Sequence, residues 1–449
     1  MKFFNIKIVG IAFLTAFMLT LNSCEVEPVE NPNGPTLESV QNGATLADLR
    51  LLASGLESII RGDMQFYYWT VSIVGREYWD LNNTDPRYTG ELLGAQGAEL
   101  DNNGFLTTRP FSGRYRAIRN AQVLIDAVSN SAASLTQQEE NGFMGYAKTI
   151  QAYELLLVLN HQFQNGIRLD VADPDKLGPF VSYDEGLAGI ASLLDEASDL
   201  LANAGPEFIF FLSDGFNRLS AGGTITPIEF AEFNRAIAAR VALYRGNKAD
   251  AIDFVNKSFM DIDGDMYKGV YHAWGLSGND LPNPLFYVPN TNKYTVHPSW
   301  LADAEAGDAR IAMKSTAYDP AEIDVPVTAD GLSGDTQVSI YNSNVDQVPL
   351  VRNEELILIY AEANIGTDNT EAVRAINAVR AAAGLGEWTG DRDNDAEVLD
   401  EVINQRRYGL FGEGHRWIDM RRLGRLDQLP LDRAGDKVHQ QFPRPVSEG

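Results

Sequence analysis

Hydrophobic positions recur with a helical period through much of this chain. In residues 111–129, FSGRYRAIRNAQVLIDAVS, Tyr115, Ile118, Val123, Ile125 and Val128 fall on a mostly helical spacing. Residues 144–163, MGYAKTIQAYELLLVLNHQF, repeat the pattern with Tyr146, Ile150, Tyr153, Leu156 and Leu157. Two later stretches predict helix-turn-helix units, one over 233–259 that turns at Gly246 and Asn247, the other over 351–384 that turns through IGTDNT. Small alanines (Ala239, Ala242, Ala249 and Ala251; then Ala361, Ala363, Ala372 and Ala375) let such helices approach closely. A helical pair of this kind cannot bury its apolar face alone and stacks on its neighbours, as tetratricopeptide pairs do. The expectation is a mostly α fold with about four such pairs.

Between these patterns the periodicity breaks. Segments at about 64–110, 205–224 and 261–348 are rich in Gly, Asn, Asp and Pro, strongly aromatic, and read as loops inserted in a helical scaffold. Long irregular segments on a rigid frame are where binding commonly resides.

The amino terminus carries a different signal. Lys2 and Lys7 precede IVGIAFLTAFMLTL, an apolar run of 14 residues, which as a helix reaches roughly 21 Å against a bilayer core of about 30 Å. The pattern predicts a secretory signal peptide over 1–23. It ends in LNSC, and Cys24 is the only cysteine of the chain. A lone thiol directly after an apolar leader is the position at which bacterial lipoproteins are cleaved and acylated. Residues 24–45 are acidic, Pro-rich and poor in bulky apolar side chains, which predicts a lipid-anchored tether. Residues 46–449 then form a single domain. With 62 acidic against 36 basic residues and a net charge of −26, nucleic acid is excluded as a partner, because phosphate binding needs a basic surface.

Against that acidity, RRYGLFGEGHRWIDMRRLGR (406–425) concentrates six arginines in twenty positions. It follows Arg352-x-x-Glu355 and Ala361-Glu362-Ala363, and precedes FPRP-x-SE (442–448). This order of features, behind a lipobox-like LNSC and an acidic tether, resembles the SusD/RagB family of surface nutrient-binding lipoproteins across essentially the whole mature chain. Two departures are visible: the family usually has an acid where this chain has Gln405, and another where it has Gly409. The resemblance implies a non-catalytic protein without cofactor, lipid-anchored on the extracellular side of the outer membrane. It implies capture of oligosaccharides, or of peptides as in RagB-like members, and delivery to a TonB-dependent transporter of the SusC type that docks on the helical side.

Guanidinium forks pair with carboxylates in fixed geometry. The arginine-rich stretch therefore reads as scaffold: Arg352, Arg406, Arg407, Arg416 and Arg422 lock the final helices onto an acidic frame such as Glu355 and Glu362, Trp417 and Leu423 add apolar contact, and Glu413 and Asp419 belong to the same structural motif. His415, between Glu413 and Arg416, is the one candidate base. No H-E-x-x-H, G-x-S-x-G, C-x-x-C or P-loop occurs. DIDGD (Asp261, Asp263, Asp265) reads as a polar turn, since its glycine falls at the wrong place for an EF-hand loop. No metal site is expected. A pair of carboxylates for glycoside hydrolysis is not singled out among 62 acids, and a surface glycosidase stands as the alternative reading. For sugar binding, flat rings beside polar groups are needed. REYWDLNN offers Arg76, Tyr78, Trp79 and Asn82, with Tyr88 after it. YHAWGLSGND offers Tyr271 and Trp274, and NKYTVHPSW adds Tyr294 and Trp300. Tyr67, Tyr68 and Trp69 form an apolar run assigned to packing.

Overall fold

Several helices open on the same local device. At Thr45, Thr136, Ser182 and Thr226 the side-chain hydroxyl accepts from the N–H three residues on, and the acid there (Asp48, Glu139, Glu185, Glu229) reaches back to the capping residue's own N–H. Each such box satisfies two otherwise orphaned donors. The computed structural model describes residues 42–173, 175–278 and 280–448. The signal segment, Cys24 and most of the tether lie outside the described residues.

The longer helices are α1 (Leu46–Ile60), α2 (Met64–Val74), α3 (Phe105–Ser129), α4 (Gln137–Gln162), α5 (Tyr183–Ala202), α6 (Pro227–Tyr244), α7 (Lys248–Asn256), α8 (Asn353–Asn364), α9 (Asn369–Ala382), α10 (Asp395–Gly409) and α11 (Arg416–Arg422). From α3 to α7 each packs on the next, and α8, α9 and α10 continue the same way. The stack crosses a large insertion: α7 lies against α8 although almost a hundred residues separate them. The predicted turns fall where expected. Gly246 has φ +71° and Asn247 caps α7, while Gly366 has φ +77° and Asp368 caps α9, conformations that glycine and a short polar side chain adopt without strain.

One segment differs from its expected loop character. Residues 64–74 form α2, in which Met64, Tyr67, Tyr68, Trp69, Val71, Ile73 and Val74 are all buried. A helix covered on every side carries no amphipathic period, so the pattern that reveals a half-exposed helix is missing there.

The insertion between α7 and α8 is built from short strands. At its neck the strand Gly269–His272 pairs antiparallel with Val348–Arg352, which holds departure and return together. Further out β1 (Tyr78–Asp80), β2 (Tyr294–Val296), β4 (Thr336–Val338) and β3 (Ser315–Ala317) form a small antiparallel sheet in that order. It ties the insertion to the segment after α2. Asp261, Asp263 and Asp265 make a turn whose carbonyls at 261 and 265 accept from Asn353 Nδ2 at 2.7 and 3.1 Å. No group of three or more metal-ligating side chains occurs among the described residues.

Candidate functional site: an aromatic basin beside the small sheet

The first turn of α2 sends Gln65, Phe66 and Trp69 to one side, because positions four apart share a helix face. Phe105 and Arg109 do the same at the start of α3, and Tyr88, Leu285, Tyr287 and Tyr294 close the ring from the loops and from β2. Together they line an open cavity of about 410 Å3. Its aromatic walls are in contact. Trp69 meets Tyr88 edge-on at 4.7 Å between centroids, Phe66 meets Phe105 at 5.8 Å, and Tyr287 stacks on Tyr294 at 3.7 Å with 17° between planes. The Arg109 guanidinium lies over Phe66 at 4.8 Å, a contact that holds a cation at the rim.

The Trp69 indole N–H is fully covered and has no hydrogen-bond partner among the described residues, while the Arg109 side chain is 54% exposed at the rim, 3.7 Å from Asp63. Beneath the rings, Asp80 takes hydrogen bonds from the Asn82 backbone and side chain at 2.9 and 2.7 Å. Burial pushes its carboxyl up to about 6.

Register explains the fate of the residues that the sequence offers for binding. Asp80 pairs with Tyr294 and Trp79 with Thr295, and alternate strand residues face opposite ways. Tyr78 thus lies under the basin, its hydroxyl 3.3 Å from that of Tyr287, buried as a supporting layer. Trp79 points away, donates to Asp432 Oδ2 at 3.0 Å and packs against His297 at 4.9 Å. It is 4% exposed, so the expectation that it offers a free face is corrected. Trp300, 1% exposed, is core between Tyr408 and Phe411, and Arg76 is a buried clamp on the carbonyls of Ile73, Val74, Leu93, Pro430 and Lys437. Asn82 holds Lys293 N and Asp80. Trp274 is buried beneath Arg61, apart from the basin. Of the residues that the sequence offers for binding, only Tyr88 and Tyr294 line it. Trp69, which the sequence assigns to packing, is 6% exposed and forms part of the wall while packing in the core.

Tyr271 lines a second cavity of about 420 Å3 whose floor is Lys314, Arg352 and Glu413. That floor is satisfied internally: Arg352 holds Glu413 at 2.9 Å, Glu354, and the Gly409 carbonyl at 2.6 Å, and Lys314 also donates to that carbonyl. Above that floor the Tyr341 hydroxyl is buried without a hydrogen-bond partner among the described residues.

The arginine-rich stretch is scaffold in its geometry. Arg406 Nε donates to Asp419 Oδ2 at 2.6 Å, Arg422 holds Glu362 at 2.6 Å and Asp419 at 2.9 Å, and Trp417 Nε1 donates to the His439 carbonyl at 2.8 Å. Burial raises the Asp419 carboxyl, but Arg406 and Arg422 outweigh it and hold the group below the usual range. Three details differ from expectation. Arg416 staples nothing, making no hydrogen bond or ion pair with any described residue. Glu355 is held by Arg240 of α6 at 2.6 Å through both oxygens, with His415 only at 3.8 Å. Arg407 binds Asp303 and Ser299 Oγ, each at 2.9 Å, acids and hydroxyls of the insertion and not of the helical frame. Burial, then Arg240 and Arg406, push His415 well below the ordinary imidazole range, so it is neutral and buried. That is no place for a general base serving an open cavity.

Residues 328–446 match the model of the SusD family. The sequence is SusD-like over that segment, and the fold is SusD-like throughout the described residues. A SusD superfamily protein from Bacteroides vulgatus aligns with a TM-score of 0.66 at 15% identity, over 90% of this chain and 96% of that one. Surface glycan-binding protein A from Bacteroides thetaiotaomicron aligns with a TM-score of 0.64 at 13% identity, covering 90% and 96%. A laminarin-binding SusD-like protein aligns at 0.58 and 18%, covering 88% and 96%. No curated protein matches this SusD-like chain in sequence. At these identities the structures speak to fold alone.

Proposed function

We propose that this SusD-like chain is a non-catalytic glycan-binding lipoprotein and that the aromatic basin holds the sugar. The observation that carries the reading is the conjunction of half-buried rings from Phe66, Tyr88, Phe105 and Tyr294 around an open cavity with the exposed Arg109 guanidinium at its rim. Pyranose rings present apolar C–H faces to aromatic planes and hydroxyls to such donors, with water completing the contacts. Two of the structural relatives are described as binding laminarin or surface glycan, which supports the same class of ligand. In this reading Cys24 is acylated, the acidic segment holds the domain off the outer membrane on its extracellular side, and the captured glycan passes to a TonB-dependent transporter of the SusC type. Modest affinity at each site suffices, because many anchored copies engage one polymer.

The test is calorimetry of the purified chain against soluble starch, laminarin, xylan, pectin and peptide digests, with Phe66→Ala and Tyr88→Ala alongside. Loss of either ring is expected to weaken the glycan that binds by about 2- to 13-fold, the worth of one aromatic contact of about 0.5–1.5 kcal/mol. Wild-type affinity retained in both variants would move the site elsewhere. Release of reducing ends by the purified chain would favour the glycosidase alternative, and exclusive binding of peptides the RagB-like one.

A further inference from the structure

The arginine-rich stretch contains one cation that the scaffold does not use. Between α10, α11 and the turn Leu426–Gln428 lies a pocket of about 340 Å3, walled by Asp400, Asn404, Arg407, Arg416, Arg425 and Gln428 among others. Arg407 and Arg425 pair there with Asp303 and Asp400, carboxylates whose side chains are 57% and 62% exposed. Solvent-exposed pairs of this kind hold weakly. Arg416 makes no hydrogen bond or ion pair with any described residue. The acids that act on it, Asp419 and Glu77, do so at a distance. Asp419 is already shared between Arg406 and Arg422, and burial pushes the Glu77 carboxyl up to about 7, so it carries only part of its charge at neutral pH. Burial, then neighbouring Arg407, bring the Arg416 guanidinium down to about 10. A half-buried fork facing a cavity, with two further guanidinium groups on the walls, is short of negative charge.

We infer that this pocket binds an oxyanion (a carboxylate, sulfate or phosphate group) on the Arg416 fork, flanked by Arg407 and Arg425, with the Asn404 and Gln428 amides as neutral donors. Planar forks match such groups with paired hydrogen bonds. The chain as a whole carries −26 and repels anions at long range, so the expected affinity is ~millimolar. The inference stands apart from the sugar reading of the basin, and the volume admits either a free inorganic ion or an acidic group carried on a sugar.

The experiment is thermal unfolding and calorimetry of the purified full-length chain in sodium sulfate against sodium chloride at matched ionic strength. Sulfate also stabilises proteins generally by exclusion from their surface, so the reading is the difference between wild type and Arg416→Gln. Wild type is expected to show a saturable rise in Tm, half-complete at a sulfate concentration at least about ten-fold lower than in Arg416→Gln. Asn404→Asp, a near-isosteric change, places a resident carboxylate in the pocket. It is expected to raise Tm in chloride and to blunt the sulfate response, which keeps the test decisive should Arg416→Gln fold poorly. Glucuronate against glucose separates the sources: a glucuronate response about ten-fold tighter than sulfate, with glucose silent, assigns a sugar-borne group, and equal responses assign a free ion. Equal effects of sulfate and chloride on wild type, or a full sulfate response in both variants, would overturn the inference.

Discussion

Gly409 stands where the SusD/RagB resemblance leads one to expect an acid, and the structure shows what has replaced it. A Cβ built on Gly409 would lie 2.2 Å from Glu354 Oε1 and 2.9 Å from Glu354 Cδ. The carboxylate of Glu354, on α8, thus occupies the space that a side chain at 409, on α10, would fill. Burial raises that carboxyl, but Arg352, Lys314 and Arg310 together hold it below its usual range, and it bonds Arg352 directly. Consider Gly409→Ala. In a helix the change by itself stabilises by about 0.5–1 kcal/mol. Here it must push a buried, ion-paired carboxylate aside, and breaking such a pair outright costs about 3–5 kcal/mol. Complete rupture less the helical gain would leave about 2–4 kcal/mol, so partial displacement leaves a net loss of about 1–2 kcal/mol, read as a lower urea midpoint at unchanged m. Gly409→Asp combined with Glu354→Ala moves the carboxylate from one helix to the other and is expected to recover most of the loss, with a coupling of at least about 1 kcal/mol in the cycle. Should Gly409→Ala prove as stable as wild type, the exchange of acid between α8 and α10 is wrong.

Three other outcomes are expected. Burial pushes the Glu77 carboxyl from its ordinary 4.5 to about 7. This raised group favours the folded state fully below pH 4.5, and that contribution is lost as pH rises through 7, by about 3 kcal/mol in all. Urea melts between pH 4.5 and 8 are therefore expected to show stability falling more steeply in wild type than in Glu77→Gln. Thr226→Ala removes the capping box of α6 and is expected to cost about 1 kcal/mol in the same assay, with a cost near zero counting against the cap. Cys24→Ser is expected to release the chain from the membrane fraction into the medium or periplasm, and a variant still sedimenting with membranes would exclude acylation as the anchor.

What the sequence tells of the fold depends on how local the deciding interaction is. The turns at Gly246–Asn247 and 366–369 are legible because a glycine at positive φ and an Asx cap act within a few residues. The acid partners of the arginines are half legible: Arg422 does hold Glu362, but Glu355 goes to Arg240, 115 positions away in the chain, because α6 and α8 face one another across the insertion. Helix α2 escapes a periodicity reading because burial on all sides leaves no polar stripe.

The candidate site shows the same division at the scale of single rings. Tyr78, Trp79 and Asp80 are neighbours in sequence, yet pairing with Tyr294 and Thr295 more than two hundred residues on sends Tyr78 and Asp80 under the basin and Trp79 into the core. Nothing near Trp79 announces that, since an indole among turn residues has the same composition whether it is covered or open. The basin does carry one local signal. Gln65 with Trp69, and Phe105 with Arg109, each place a polar group and a ring four apart at a helix start, a spacing that sets them on one face. Two such pairs flanking an aromatic loop point to a binding wall more specifically than any isolated tryptophan. Which of these rings keep part of their faces open, Phe66, Tyr88, Phe105 and Tyr294, and which, like Trp69, are covered, is visible only after everything around them has packed.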